Sequence, residues 1–369
     1  MKIGILTFHR ATNYGAVLQA YALVHYLNKN EEYDAKIVDY KPKGMGVLYA
    51  SLDVSGLYRK LKRIILNILM LFSLKKRYNK RKMFWNYIKG VLPMTDKVDN
   101  VDMVPDMDAF IVGSDQVWSV CFTGGLDPFY WGLFERKGAK MISYAASAAE
   151  NMEDSFFSSG NSRYLETFDF ISVRESELQQ YLQKEISTKD IVKVLDPTLM
   201  AGADIFEELI KNEKPLAERY ILIYQVVRVE NDNIQEYAIK MAHQNDCNVV
   251  EIKNSQLWLN SNGKTTILKE LVTPTQFVSL FKNAQFIITT SFHGTAFSLL
   301  FNRPFLVVSV SEEVDSRAKD ILVQLGIEER LVLLPLSNNV IKEINWELVN
   351  EKLGELRIPS REFLKQSLS

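Results

Sequence analysis

The stretch Ile287–Arg303, IITTSFHGTAFSLLFNR, decides how this chain is read. A β-prone run, Phe286–Thr290, ends in small polar residues. His293 and Gly294 follow, and an apolar run at helical spacing begins at Thr295. In a parallel α/β sheet that order places His293 at the carboxyl end of a strand and the amino end of a helix. Ligands of such sheets bind there, because free backbone N–H groups and the helix dipole point at the cleft. The chain has only four histidines, so one at such a junction carries weight. The other reading of His293 is a core histidine bonded to a carbonyl.

Outward from this segment the alternation continues. Tyr220–Val227 reads as a strand, Asp232–Gln244 as a helix, Asn248–Ile252 as a strand, Thr275–Asn283 as a helix and Phe305–Val310 as a strand. An earlier series starts with the strand Lys2–Phe8, the helix Ala16–Asn28 and the strand Lys36–Tyr40. It goes on through the apolar runs Ala109–Gly113, Lys140–Ala145, Phe170–Val173 and Val192–Leu195. The expected fold class is α/β, with two facing doubly wound, Rossmann-like lobes and a cleft between them. The expected division is 1–205 for an acceptor-side lobe, 206–340 for a donor-side lobe, and a helical tail, 341–369, packing back on the first lobe.

Composition narrows the function classes. Two cysteines far apart, Cys121 and Cys247, make neither a disulfide framework nor a zinc ribbon, and a reducing cytoplasm is the expected location. The opening residues do not read as a signal peptide, and no run reaches the ~18 apolar residues of a membrane span. Net charge is −1, yet Val54–Thr95 holds eleven Lys or Arg and no acid. Within it, the segment 56–82 carries an apolar stripe, Leu61, Ile64, Ile65, Ile68 and Phe72, with basic residues on both sides. Such a segment suits contact with an anionic membrane, here the inner face, or a helix packed on the core with a solvated basic rim. No nucleic-acid-binding signature accompanies the charge.

Each remaining motif has two readings. Asn13, Tyr14 and Gly15 form the first βα junction, either an ordinary turn or an anion or sugar pocket on a helix amino terminus. Ser114, Asp115 and Gln116 follow another strand and offer a hydroxyl and a carboxylate to the same cleft, although Asp115 reads as readily as a helix N-cap. Arg174 ends a strand run; its fork of donors fits carboxylate or phosphate, or a structural pair with Glu175 or Glu177. Arg317 opens a helix and reads better as a surface charge than as a ligand contact. Asp106-Met107-Asp108 resembles a metal-holding DxD but precedes its strand, so a solvated turn is expected. No metal-site spacing, P-loop, GxGxxG or GxSxG occurs.

Taken in order, TNYGAVLQAYAL, IVGSDQVW, ISYAAS, ISVRES, VLDPT and SFHGTAFSLLFNRPF resemble the polysaccharide pyruvyl transferase family, over about Lys2–Leu331. The resemblance implies an architecture like that of the B-type glycosyltransferases. It implies transfer of pyruvate from phosphoenolpyruvate to two hydroxyls of a sugar, giving a cyclic ketal, with a glycan or lipid-linked oligosaccharide as acceptor and no cofactor. On that match His293 is the functional histidine and general acid/base, and Arg174 holds the donor. Ser291, Phe292, Gly294, Thr295 and Arg317 complete the expected donor side. Asn13, Tyr14, Gly15, Ser114, Asp115 and Gln116 make up the acceptor side. Some family members have an arginine where Ser291 stands, and Arg317 is the substitute considered. The alternatives are a nucleotide-sugar-dependent glycosyltransferase of the B type and a non-catalytic sugar-binding subunit of a polysaccharide assembly complex.

Overall fold

A computed structural model of the chain describes residues 1–42, 60–148, 160–226, 233–252, 266–269, 271–336 and 342–369. The first lobe contains β1 (Lys2–Leu6), α1 (Tyr14–Leu27), β2 (Asp34–Tyr40), α2 (Lys60–Val91), β3 (Met94–Val98), β4 (Ala109–Val112) and α3 (Val120–Thr123). It continues with β5 (Lys140–Ala146), β6 (Phe170–Val173), α4 (Ser176–Glu185) and β7 (Ile191–Lys193). Two short helices, α5 (Pro197–Ala201) and α6 (Ala203–Ile210), lead to the second lobe. That lobe contains β8 (Tyr220–Tyr224), α7 (Ile234–Gln244), β9 (Asn248–Ile252), β10 (Thr266–Lys269), α8 (Pro274–Asn283), β11 (Phe286–Thr289) and α9 (Phe292–Leu300). β12 (Phe305–Val308), α10 (Glu312–Leu325), β13 (Leu331–Val332) and the closing helix α11 (Trp346–Leu368) follow.

All strand pairs are parallel. The orders are β3-β2-β1-β4-β5-β6-β7 and β10-β9-β8-β11-β12-β13. Each order reverses once, between β1 and β4 in the first sheet and between β8 and β11 in the second. At such a reversal neighbouring connections leave in opposite directions and open a crevice at the strand carboxyl ends. The loops after β1 and β4 therefore meet the loops after β8 and β11 across the molecule.

The strands are buried on both faces, as parallel sheets covered by helices require: β4, β8, β11 and β12 are buried along their whole length. One hydrophobic cluster runs through both lobes, from Ile3, Val17 and Leu23 to Phe277, Phe297 and Leu322. Tyr14 is central to that continuity. Its ring stacks on Phe277 of the other lobe at 4.5 Å and its hydroxyl donates to the Val272 carbonyl at 2.9 Å. The stack is worth about 0.5–1.5 kcal/mol beyond area burial.

Helix α11 returns across the first lobe. Ser360 Oγ accepts from the Leu195 N–H at 2.8 Å, Arg357 Nε donates to the Leu199 carbonyl at 2.8 Å, and Phe363 lies beside Tyr144. Among the described residues no helix is long and apolar enough to cross a membrane. The side chains of the stripe Leu61, Ile64, Ile65, Ile68 and Phe72 lie outside the described residues; beyond it, Lys75, Lys76 and Lys82 are exposed. Asp106 and Asp108 sit at the amino edge of the sheet, where they pair with Lys137 and accept from the Lys2 N–H, as a solvated turn does.

Candidate active site

Helix α9 begins at Phe292, three residues earlier than apolar spacing predicts. Ser291 caps it, its Oγ accepting from the Gly294 N–H at 3.4 Å, and the Thr295 hydroxyl donates back to the Ser291 carbonyl at 3.2 Å. Gly294 is needed for packing: a Cβ there would lie 2.2 Å from Thr289 Oγ1 on β11. Ser291, Gly294 and Thr295, expected on the donor side, thus build the strand–helix junction. What they position is His293, which emerges at the start of the helix and crosses to the first lobe. A Cβ on Gly15 would lie 2.1 Å from His293 Nδ1, so the glycine backbone and the imidazole touch. Gly15 is the second residue of α1, and only hydrogen in place of a side chain permits that approach.

Behind the imidazole lies Asp196, the aspartate of VLDPT, to which the sequence attached no role. It follows β7, is 1% exposed, and caps α5 by accepting from the Thr198 N–H and hydroxyl at 2.9 and 2.6 Å. Its other oxygen accepts from Arg174 Nη1 at 2.9 Å and Ser114 Oγ at 3.2 Å, and lies 3.7 Å from His293 Nε2, too far for a hydrogen bond. Arg174 also donates through Nε to Glu175 at 3.0 Å, and Glu175 in turn accepts from Ser147 Oγ at 2.8 Å. The guanidinium packs over the Phe292 ring at 5.0 Å, which gives Phe292 a supporting place in the site. Arg174 therefore makes structural pairs, yet Nη2 is left over.

Three buried nitrogens lack a hydrogen-bond partner here: the guanidinium donors Arg174 Nη2 and Arg317 Nε, and the imidazole nitrogen His293 Nε2. The expectation of a surface role for Arg317 is overturned, because the inner face of α10 turns its guanidinium inward beside Arg174. A buried donor without an acceptor costs about 1–3 kcal/mol, more when charged, so three together mark a place built for something else. Gln225, just past β8 and 4% exposed, leaves its Nε2 unpartnered at the same lobe's sheet reversal. A polar residue directly after the apolar run Tyr220–Tyr224 was the available sequence signal for it.

The electrostatics follow from burial. Burial pushes the His293 imidazole below its usual range, although Asp196 and Asp115 oppose this, so the ring is neutral near pH 7. Burial pushes the Asp196 carboxyl up, but His293 and Arg174 outweigh it and hold the group below the usual carboxylate range. Arg174 is held firmly charged: burial opposes the cation, and Glu175 and Asp196 more than offset it. Arg317 is lowered by burial and by the nearby Arg174 charge.

The expected acceptor-side residues divide. Gly15 and Ser114 touch His293 and Asp196 as described. Asp115 has φ 82° and its carboxylate accepts from the Gln116 N–H at 2.9 Å. No helix starts there, which corrects the N-cap reading: α3 begins at Val120, after Ser119. Gln116 is half-buried in the same loop. Asn13 is the α1 cap, its side chain accepting from the Ala16 N–H at 3.3 Å. Tyr14 is a correction: it is 2% exposed and joins the lobes by stacking, because its ring points to α8 and not into the crevice. Among the described residues no cluster of His, Cys, Asp and Glu is arranged to hold a metal.

The comparisons with known proteins agree with this layout. Over 97% of this chain and 93% of that chain, the fold is similar to UDP-GlcNAc 2-epimerase from Methanocaldococcus jannaschii in complex with UDP-GlcNAc and UDP (TM-score 0.51, 14% identity). It also resembles UDP-GlcNAc 2-epimerase from Neisseria meningitidis (TM-score 0.49, 12% identity, 100% and 94% covered) and apo UGT2 of Phytolacca americana (TM-score 0.42, 11% identity, 99% and 94% covered). At these identities the likeness concerns the fold alone, the two-lobed architecture of B-type glycosyltransferases and these epimerases. No curated protein matches the chain in sequence. The family model described as Polysaccharide pyruvyl transferase matches residues 13–312, a span that holds Gly15, Arg174, Asp196 and His293, and the chain belongs to that family.

Proposed function

We propose that this protein transfers pyruvate from phosphoenolpyruvate to two hydroxyls of a sugar, in a cell-surface polysaccharide or its lipid-linked precursor, forming a cyclic ketal. The observation that carries the reading is the set of three unpartnered buried nitrogens, Arg174 Nη2 of the first lobe with Arg317 Nε and His293 Nε2 of the second, gathered around Asp196 where the lobes meet. Planar forks and an imidazole suit a small acid bearing both phosphate and carboxylate. Arg317 takes the place of the family arginine absent at Ser291. The donors are sealed in the closed seam, so the donor enters when the lobes part, and closure then excludes water.

The chemistry needs one proton delivered and one removed. His293 gives a proton to the terminal methylene carbon, making it a methyl group, while positive charge develops at the central carbon. A sugar hydroxyl bonds to that carbon and its proton returns to the imidazole. The bond from that carbon to the phosphate oxygen then breaks, the second hydroxyl closes the ring, and its proton leaves with phosphate. A neutral imidazole is the wrong form to begin this. The anionic donor itself supplies the correction, since negative charge beside His293 raises its proton affinity. Asp196, within 4 Å of the ring and fixed by Arg174, Ser114 and Thr198, stabilises the imidazolium.

The test is mass spectrometry of candidate glycan acceptors incubated with phosphoenolpyruvate. An acid-labile pyruvate adduct with equimolar phosphate supports the reading. Transfer of a sugar from a nucleotide-sugar donor, with phosphoenolpyruvate inert, replaces it with the glycosyltransferase alternative.

A further inference from the structure

Arg174 and Glu175 form an ion pair that stops half-way. Arg174 Nε donates to Glu175 Oε1 at 3.0 Å, but Nη2 of the same guanidinium and Oε2 of the same carboxylate are both buried and without a hydrogen-bond partner. The chain also holds the completed form of this pairing. Arg10 and Asp39 join as a parallel fork, Nε to one carboxylate oxygen and Nη2 to the other, each at 2.6 Å. Closing the fork at Arg174 would satisfy two buried groups at once, yet it stands open. Each open atom is two bonds from an atom of the 3.0 Å contact, so the two lie within roughly 8 Å of each other, in reach of one small group. A group that accepts from Nη2 and donates to Oε2 is a hydroxyl; an anion without a proton satisfies only the guanidinium.

The surroundings say which hydroxyl. Ser147 Oγ donates to the same Oε1 at 2.8 Å, so one carboxylate oxygen is held from two sides and the other is left over. Glu175 occupies the N-cap of α4 but makes no side-chain cap bond there. Ser147 ties it instead to the acceptor-side loop, its N–H donating to the Asp115 carbonyl at 3.0 Å. On its other side the Glu175 charge acts on Arg317 of the second lobe. Glu175 thus stands where the expected donor and acceptor sides meet. His293 lies past the other end of Arg174, beyond Asp196, which accepts from Nη1. The site therefore has two groups able to move protons, and ketal formation has two hydroxyls to deprotonate.

We propose that Glu175 is a second catalytic base, whose Oε2 takes the proton of the ring-closing sugar hydroxyl while Arg174 Nη2 holds that hydroxyl's oxygen. The proposal rests on the pyruvyl-transfer reading. Nη2 carries two hydrogens, so it can meet the donor's anion and this hydroxyl together. As the second hydroxyl oxygen bonds to the central carbon, its O–H bond breaks and the proton passes to Oε2. Phosphate, already detached from that carbon, takes the proton up and leaves as hydrogen phosphate, and the carboxylate is restored. His293 keeps the first proton cycle, between the methylene carbon and the first hydroxyl.

The test uses the full chain with phosphoenolpyruvate and a panel of methyl hexopyranosides in heavy water. Phosphate release is measured, together with entry of deuterium into the methylene group of the remaining phosphoenolpyruvate. Glu175→Gln keeps an oxygen for Arg174 Nε and Ser147 but removes the base. It should slow phosphate release on the order of 100-fold or more, with deuterium entry persisting within about tenfold of wild type, because protonation at carbon belongs to His293. His293→Gln should abolish both signals. Glu175→Asp, which keeps a carboxylate, should recover at least about tenfold of the lost release, a rescue that a merely structural role does not give. Release at the wild-type rate in Glu175→Gln, or release and deuterium entry falling together, overturns the assignment and leaves the reaction reading standing. A wild type that releases no phosphate with any of the panel removes both.

Discussion

Replacing Gly15 with alanine sets two physical effects against each other. Gly15 lies in the first turn of α1, and the alanine gains up to about 1 kcal/mol of helix propensity. On that ground alone the variant should be more stable. The new Cβ, however, would sit 2.1 Å from His293 Nδ1, where ordinary contact begins at 3.4 Å, so the ring or the lobe must give by 1.3 Å (3.4 − 2.1). Overpacking of this kind costs about 1–3 kcal/mol, which offsets or exceeds the propensity gain. A chain of 369 residues loses about 0.8 kcal/mol per kelvin near its melting point. The penalty alone therefore lowers Tm by about 1–4 °C, and Tm should not rise. Catalysis is more sensitive, since a displacement of about 1 Å costs on the order of 100-fold. The assay pairs thermal unfolding with phosphate release from phosphoenolpyruvate in the presence of an acceptor. A folded variant at least 100-fold slower is expected. A Tm raised by 1 °C or more together with wild-type turnover would refute the contact between the lobes.

Other substitutions probe the buried charges. Asp196→Asn keeps the shape but sets an amide donor against either Arg174 or the Thr198 N–H, whichever way it turns. Breaking such a pair costs about 3–5 kcal/mol, a fall in Tm of about 4–6 °C by differential scanning calorimetry, and a fall under 1 °C would argue against the network. Because burial lowers the His293 pKa and the donor raises it again, binding of phosphoenolpyruvate near pH 7 should take up a proton. Calorimetry in buffers of different ionisation enthalpy checks this, and His293→Gln should abolish the uptake. Lys80, buried beside Tyr14 and Phe84, is lowered by desolvation from 10.5 to about 8. Between those pH values the unfolded chain binds more protons, so this group makes stability rise with pH from 8 to 10.5. Denaturant titrations at pH 8 and 10 should show that increment shrinking by about 1–3 kcal/mol in Lys80→Met.

What was legible in the sequence was local. The β11–α9 junction could be read because its strand run, cap and glycine are consecutive, and the two parallel series could be read because each βα unit carries its own periodicity. The start of α9 was misplaced by three residues because Ser291 identifies itself as a cap only through its bond to Gly294. Tyr14 was misassigned because its partner, Phe277, is brought in by the packing of a distant helix. Arg317 looked like a surface charge until the orientation of α10 turned it inward. Asp196 stands in the quoted VLDPT motif, but its role does not show there for the same reason: its partners Arg174, Ser114 and His293 come from three other segments, and only the assembled lobes make it central. At Gly15 the sequence offers either a tight turn or a close approach of ligand to backbone on the acceptor side, whereas the structure sets the imidazole of the other lobe against it.

The central claim is that Arg174, Arg317 and His293 together hold a small phosphorylated acid, and titration calorimetry with phosphoenolpyruvate tests it most directly. Saturable binding is predicted for the wild type, weakened at least tenfold in both Arg174→Gln and Arg317→Gln, with uridine diphosphate sugars giving no heat. Undiminished affinity in those two variants, or binding of the nucleotide sugar in place of phosphoenolpyruvate, would contradict it.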